Sequence, residues 1–208
     1  MTRGFWKDPR VALHRTEPGH YEGRAIREGL YAVAGSLGWA DRDGNALGEA
    51  IGPGDKVLIK PNWVFHENEG PGGFEALLTH ASIIRAVTEA ALATRAGQVT
   101  VGDAPLQSCD FDTLVDRTGL REWAAALAEE DSRFTGMEDF RRTKAVVRGG
   151  LRTALEGLRP EDDFVLFDLA GESLLEPISG GNPRFRVTQY DPRLLERRHS
   201  QGRHQYLV

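Results

Sequence analysis

The chain has 208 residues, 40% of them hydrophobic, with 31 acidic against 26 basic side chains and a net charge of −5. That length suits one large domain with a substantial core, and the acidic balance supplies no basic field to hold a nucleic-acid backbone, so nucleic acid is not expected as a partner. No apolar run approaches the roughly 18 residues of a membrane span, Met1 to Arg10 lack the apolar stretch of a secretory signal, and the single cysteine, Cys109, excludes an internal disulfide framework or a four-cysteine cluster held by this chain alone. The expectation is a cytoplasmic protein that does not enter the membrane.

Val11 to His14 is a short strand candidate. Tyr21 to Leu37 follows with apolar residues at helical spacing (Ile26, Leu30, Val33, Leu37) and stops at Gly38, an opening βα pair. Asp41 to Gly54 carries Asp-Gly-Asn and Gly-Pro-Gly and reads as a surface connection. Residues 57–60 form a near-continuous apolar strand of the kind buried on both faces of a parallel sheet, stopped by Pro61, which has no amide donor. His66 to Glu75, rich in glycine and acid, reads as a mobile loop.

Thr79 is placed to cap a helix with Ile83, Ile84, Val87, Ala90, Ala91 and Thr94 on one face, and Gly97 suits the left-handed residue that ends helices. Val99 to Val101 is the next strand. A strand, helix, strand crossover is right-handed in nearly all cases, so the two strands should run parallel with their carboxyl ends at one edge. Further on, Ser108 or Asp110 caps a helix through about Glu130 with Phe111, Leu114, Val115, Leu120, Trp123 and Leu127 as its apolar set. Thr143 to Val147, Phe164 to Leu169 and Phe185 to Thr188 are strand candidates, the last after a turn at residues 180–183. His204 to Val208 ends the chain on apolar, strand-like residues.

In open α/β sheets ligands sit outside the carboxyl ends of the strands, where loops carry no packing duty and helix starts present amide donors. The pattern brings Lys60, Asn62, Thr79, His80 and Asp103 to that edge, with Gln107 on the same loop. Lys60 offers a positive charge and Asn62 both a donor and an acceptor, a set suited to phosphate or carboxylate. Each has a plain structural alternative: Lys60 as a solvated strand-end lysine, Thr79 as a cap, Asp103 as a turn-forming residue before Ala-Pro. As chemistry, Asp103 or His80 would exchange a proton. Cys109 near a helix start is more often an inert small hydrophobe than a nucleophile. The six histidines show no zinc spacing, and no dinucleotide, P-loop or serine-hydrolase motif is present. The arginines between Arg184 and Arg203 read as a solvated face, or as grips on an anion if that segment folds over the crevice.

Three motifs in order carry a resemblance: Ile59-Lys-Pro-Asn62, Thr79-His80 and Val101-Gly-Asp-Ala-Pro105. With them the chain resembles the family known as domain of unknown function 362, from about residue 10 to the end. The continuation Gln107 to Phe111 is similar to a branch met beside polysaccharide-related genes. The resemblance implies a second α/β portion with a Leu-Pro-Lys-x-Lys-x-His segment beyond residue 208, so the chain would be the N-terminal part of a longer protein, a single α/β domain truncated at its C-terminus. Some relatives carry a ferredoxin-like cysteine-rich module, which this chain lacks.

The expected fold is therefore α/β, a parallel or mixed sheet flanked by helices with Rossmann-like βαβ units. The expected function is binding of a small anionic metabolite, phosphorylated or carboxylated, sugar derivatives included, at Lys60, Asn62, Thr79, Asp103 and Gln107. Asp103 and His80 are the catalytic candidates if the protein is an enzyme, and no metal ligand and no particular cofactor is indicated. Two alternatives stand beside it: a redox accessory protein working with an iron–sulfur partner, which requires an exposed Cys109, and a non-catalytic scaffold in a polysaccharide-related pathway. A protein partner or the missing C-terminal half would complete either.

Overall fold

The computed structural model describes residue 21 and residues 23–68, 74–168 and 203–207. The chain divides into two compact units, Met1–Glu156 and Gly157–Val208. The strand candidates at 11–14 and 185–188, the turn at 180–183 and most of the arginine-rich segment lie outside the described residues.

The first unit is a mixed α/β structure. Helix α1 (Gly23–Leu37) buries Ile26 and Ala34 and ends at Gly38, whose φ of 74° is the left-handed stop expected there. The connection that follows is more than a surface link. Ala46 and Leu47 are buried, and the Asp41 carboxylate accepts the backbone N–H of Asp43 and of Asn45 at 3.0 and 2.8 Å. The turn chemistry was legible, but the small apolar pair inside it is what pins the loop to the core.

Strands β1 (Lys56–Ile59) and β2 (Gln98–Asp103) pair in parallel, Lys56 opposite Gln98 and Ile59 opposite Val101, around helix α2 (Ala81–Leu92). This is the expected βαβ unit. A third strand, β3 (Phe134–Asp139), runs parallel on the other side of β2, giving the order β1-β2-β3. Because β2 is central, Val99 and Val101 are fully buried, whereas β1 is an edge among the described strands and Leu58 is 50% exposed. The expectation that β1 is covered on both faces is corrected: the two-sided burial belongs to β2.

Between β2 and β3 the single helix expected from 110 to 130 is two, α3 (Phe111–Arg117) and α4 (Leu120–Glu130). Gly119 breaks them with φ 67°, a backbone state that L side chains rarely adopt. The apolar set holds across the break: Leu114, Val115 and Leu120 join the main core with Ile84, Val99, Val101, Trp63 and Phe134. Each such side chain contributes about 1.5–3 kcal/mol when fully buried.

Gly97 does not end α2, which is capped at Ala93. Its role is close approach: a Cβ there would lie 2.7 Å from the Gly54 carbonyl oxygen. The backbones cross at this point, with Gly97 N–H donating to the Asp55 carbonyl at 2.8 Å.

Beyond β3, strands β4 (Thr143–Arg148) and β5 (Leu151–Gly157) form a two-stranded hairpin turned by Gly149 and Gly150, both at positive φ. In the second unit β6 (Phe164–Asp168) pairs antiparallel with β7 (Arg203–Leu207), which covers most of the expected apolar terminal strand. Among the described residues no helix is long and apolar enough to cross a membrane.

Candidate functional site

The carboxyl edge is built from three short segments laid side by side. Residues 62–66, leaving β1, bond to residues 77–79 on one flank: Thr79 N–H donates to the Asn62 carbonyl at 2.9 Å and Val64 N–H to the Leu77 carbonyl at 3.0 Å. On the other flank Leu106 N–H donates to the Val64 carbonyl at 3.0 Å, and Asp110 N–H donates to His66 Nδ1 at 3.0 Å. The polar loops expected at this edge are thus one hydrogen-bonded surface. Phe74–Leu77, at the end of the expected mobile loop, is a single 3-10 turn.

Asp103, the last residue of β2, is 5% exposed. Its carboxylate accepts the Trp63 N–H at 2.7 Å through Oδ2 and the Ala104 N–H at 2.8 Å through Oδ1, and Lys60 Nζ stands 2.8 Å from Oδ1. Such donors satisfy oxygens whose burial without hydrogen bonds would be costly. The Lys60 side chain is itself 64% exposed, and Nζ also donates to the Pro61 carbonyl at 3.3 Å. The pair therefore fixes a lysine whose charge faces water.

Asn62 and Thr79 meet through the Asn62 N–H, which donates to Thr79 Oγ1 at 2.8 Å. That bond occupies the Thr79 hydroxyl, and the cap of α2 passes to His80, whose Nδ1 accepts the Ser82 N–H at 3.2 Å. The expected Thr79 cap is corrected by one residue for this reason. The His80 ring stacks on Tyr21 with centroids 4.1 Å apart, so Nε2 is the ring nitrogen not engaged with Ser82. Gln107 lies on the same loop with both ends of its amide held: Nε2 donates to Thr143 Oγ1 at 3.1 Å, and Arg152 donates to Oε1 at 3.2 Å.

A residue that sequence reasoning missed holds this loop in place. Arg141 is 4% exposed and grips Asp139 through Nε at 2.9 Å and Nη2 at 2.5 Å. Its Nη1 donates to the carbonyls of Leu106, Gln107 and Cys109 at 3.0, 3.1 and 2.8 Å. The only signal in the sequence was an arginine among other cations at 141–144, which reads as a solvated run. Beneath this staple Cys109 is 4% exposed, and burial pushes its thiol up to about 11 against the pull of the Arg141 charge. Asp110 caps α3 by accepting the Thr113 N–H at 2.9 Å, which holds its carboxyl below the ordinary range.

A small cleft of about 100 Å³ opens at this edge, lined by Phe74, Leu78, Thr79, His80, Ala81, Arg117 and Thr118. Two larger hollows, of about 670 and 720 Å³, lie toward the opposite edge, against the C-terminal end of α2. They hold none of the predicted site residues, and the position of ligand sites in parallel sheets favours the smaller cleft. Among the described residues no group of three or more histidine, cysteine or acidic side chains is placed to hold a metal ion.

Two parallel βαβ crossovers with polar loops at the carboxyl edge make this an α/β architecture. The family described as Domain of unknown function (DUF362) matches residues 57–152, the segment that carries Lys60, Asn62, Thr79, His80 and Asp103. The match is narrower than the stretch from residue 10 to the end that the resemblance implied. Among curated proteins and among solved structures, nothing matches the chain.

Proposed function

We propose that the protein, acting in the cytoplasm, binds a small anionic metabolite, phosphorylated or carboxylated, at the carboxyl edge of its sheet. The observation that carries this reading is Lys60: an ammonium fixed 2.8 Å from a buried carboxylate while its side chain stays 64% exposed. A held cation loses little freedom when an anion arrives, which favours binding. Asn62 and Thr79 border it, and Gln107 braces the loop. If turnover accompanies binding, His80 is the better proton-exchanging group, because Asp103 would have to release donors it already holds.

Two readings compete with this one. A redox accessory protein working with an iron–sulfur partner needs Cys109 at the surface, and its burial and raised thiol weigh against that role. A scaffold without catalysis predicts that Lys60→Ala and Asp103→Ala leave biological activity intact. Thermal shifts against nucleotides, sugar phosphates, carboxylates and divalent metals, repeated on Lys60→Ala, test the proposal. A compound that stabilises the wild type but not the variant supports it; no shift from any compound would overturn it.

A further inference from the structure

Resting on the anion-binding reading, we infer that the anionic group of the ligand seats in the cleft lined by Phe74, Thr79, His80 and Arg117, with Arg117 as its principal cation. The cleft places this arginine against two of the predicted site residues at once. Arg117 sits at the end of α3 with its side chain oriented from two sides. Its Nη1 donates to the His66 carbonyl at 2.7 Å, and its guanidinium carbon lies 4.4 Å from the Phe74 ring centroid. The His66 carbonyl takes one of five N–H donors, so the guanidinium is aimed without being consumed.

The described carboxylates of α3 nearest Arg117 in sequence are otherwise engaged. Asp112 and Asp116 of α3 both pair with Arg121. Arg117 is nonetheless exposed, so a ligand reaches it from solvent. A planar, oriented fork of donors matches a carboxylate or a phosphoryl group and binds it in two-point fashion.

Size sets the ligand class. A cavity of about 100 Å³ is well below the roughly 300–1,000 Å³ of sites that engulf a whole drug-sized molecule. It admits one anionic group and leaves the rest of the ligand outside. Thr79 links the cleft to Asn62 and so to the strand end that carries Lys60. The ligand is therefore a compact metabolite gripped at one end by Arg117. A mononucleotide would keep its base in solvent, and a neutral sugar would gain nothing from the arginine.

The test is calorimetric titration of the whole chain with inorganic phosphate, pyrophosphate and citrate at constant ionic strength, using wild type, Arg117→Ala, Arg117→Lys and Lys60→Ala. Affinity for at least one anion should fall about tenfold or more in Arg117→Ala, as expected for loss of a charge-assisted two-point contact. It should recover partly in Arg117→Lys, which keeps the charge and loses the fork. Should Arg117→Ala fail to fold, the lysine variant decides: affinity unchanged from wild type overturns the inference. Binding that is lost in Lys60→Ala but stays within twofold of wild type in Arg117→Ala overturns Arg117 and preserves the anion site at Lys60. No binding of any of the three anions to wild type removes both.

Discussion

Asp103 and Asp139 face one another across the β2–β3 ladder, and each ends its strand with a carboxylate held by a cation. They use that cation in opposite ways. Asp103 is 5% exposed and holds Lys60, whose side chain is 64% exposed. Asp139 holds Arg141, which is 4% exposed and turned inward onto three carbonyls. One pair presents a charge to solvent; the other spends its charge on stapling a loop. Two neighbouring strand ends with similar chemistry thus separate into an exposed cation and a buried staple, and burial of the cation is what distinguishes them.

The comparison breaks most visibly at the staple. Arg141→Met takes the guanidinium from the Asp139 carboxylate and from the Cys109 carbonyl, while the Leu106 and Gln107 carbonyls keep the backbone N–H groups of Cys109 and Ala145, and should lower stability by about 3 kcal/mol in urea unfolding. A loss under 1 kcal/mol would mean the loop needs no internal support. Asp103→Ala strands the Trp63 and Ala104 amides and should cost about 2–3 kcal/mol; a neutral result would reduce Asp103 to a turn residue. The seal beneath the staple is read by Cys109. With its thiol raised from 9.0 to about 11, the folded chain holds the protonated form at pH 8, and alkylation by iodoacetamide should run about a hundredfold slower than in urea. The thiolate should appear only as pH rises toward the folded value, and equal rates in the two states would refute the burial. Smallest of all, Lys60→Ala should change stability by less than about 1 kcal/mol, because the pair is exposed on the lysine side. A large loss there would make Lys60 a structural residue and undercut its availability to an anion.

The βαβ unit was legible because its strands are short apolar runs and its helix keeps one apolar face, signals that need no tertiary information. The juxtaposition of Lys60 with Asp103 followed from the crossover rule alone. β3 escaped because Phe134-Thr-Gly-Met-Glu-Asp139 offers only Phe134 and Met137 as apolar residues; it is a strand because β2 lies beside it. The shift of the helix cap from Thr79 to His80 was beyond reach for a similar reason: both residues suit the cap, and the choice is made by the Asn62 amide, 17 positions earlier. Arg117 went unremarked inside a helix expected to run to about Glu130, since nothing local announces that Phe74 and the His66 carbonyl converge on it.

As an edge among the described strands, β1 carries one more consequence. An edge strand offers unpaired backbone groups to any passing chain, and Leu58, half exposed, makes this one adhesive. Lys56 begins the strand and Lys60 follows its last residue, so an incoming strand would bring its own backbone between two ammonium groups. Lys60 thus stands where a gatekeeper charge against aggregation would stand, and changes at Lys60 are to be judged by solubility as well as by binding.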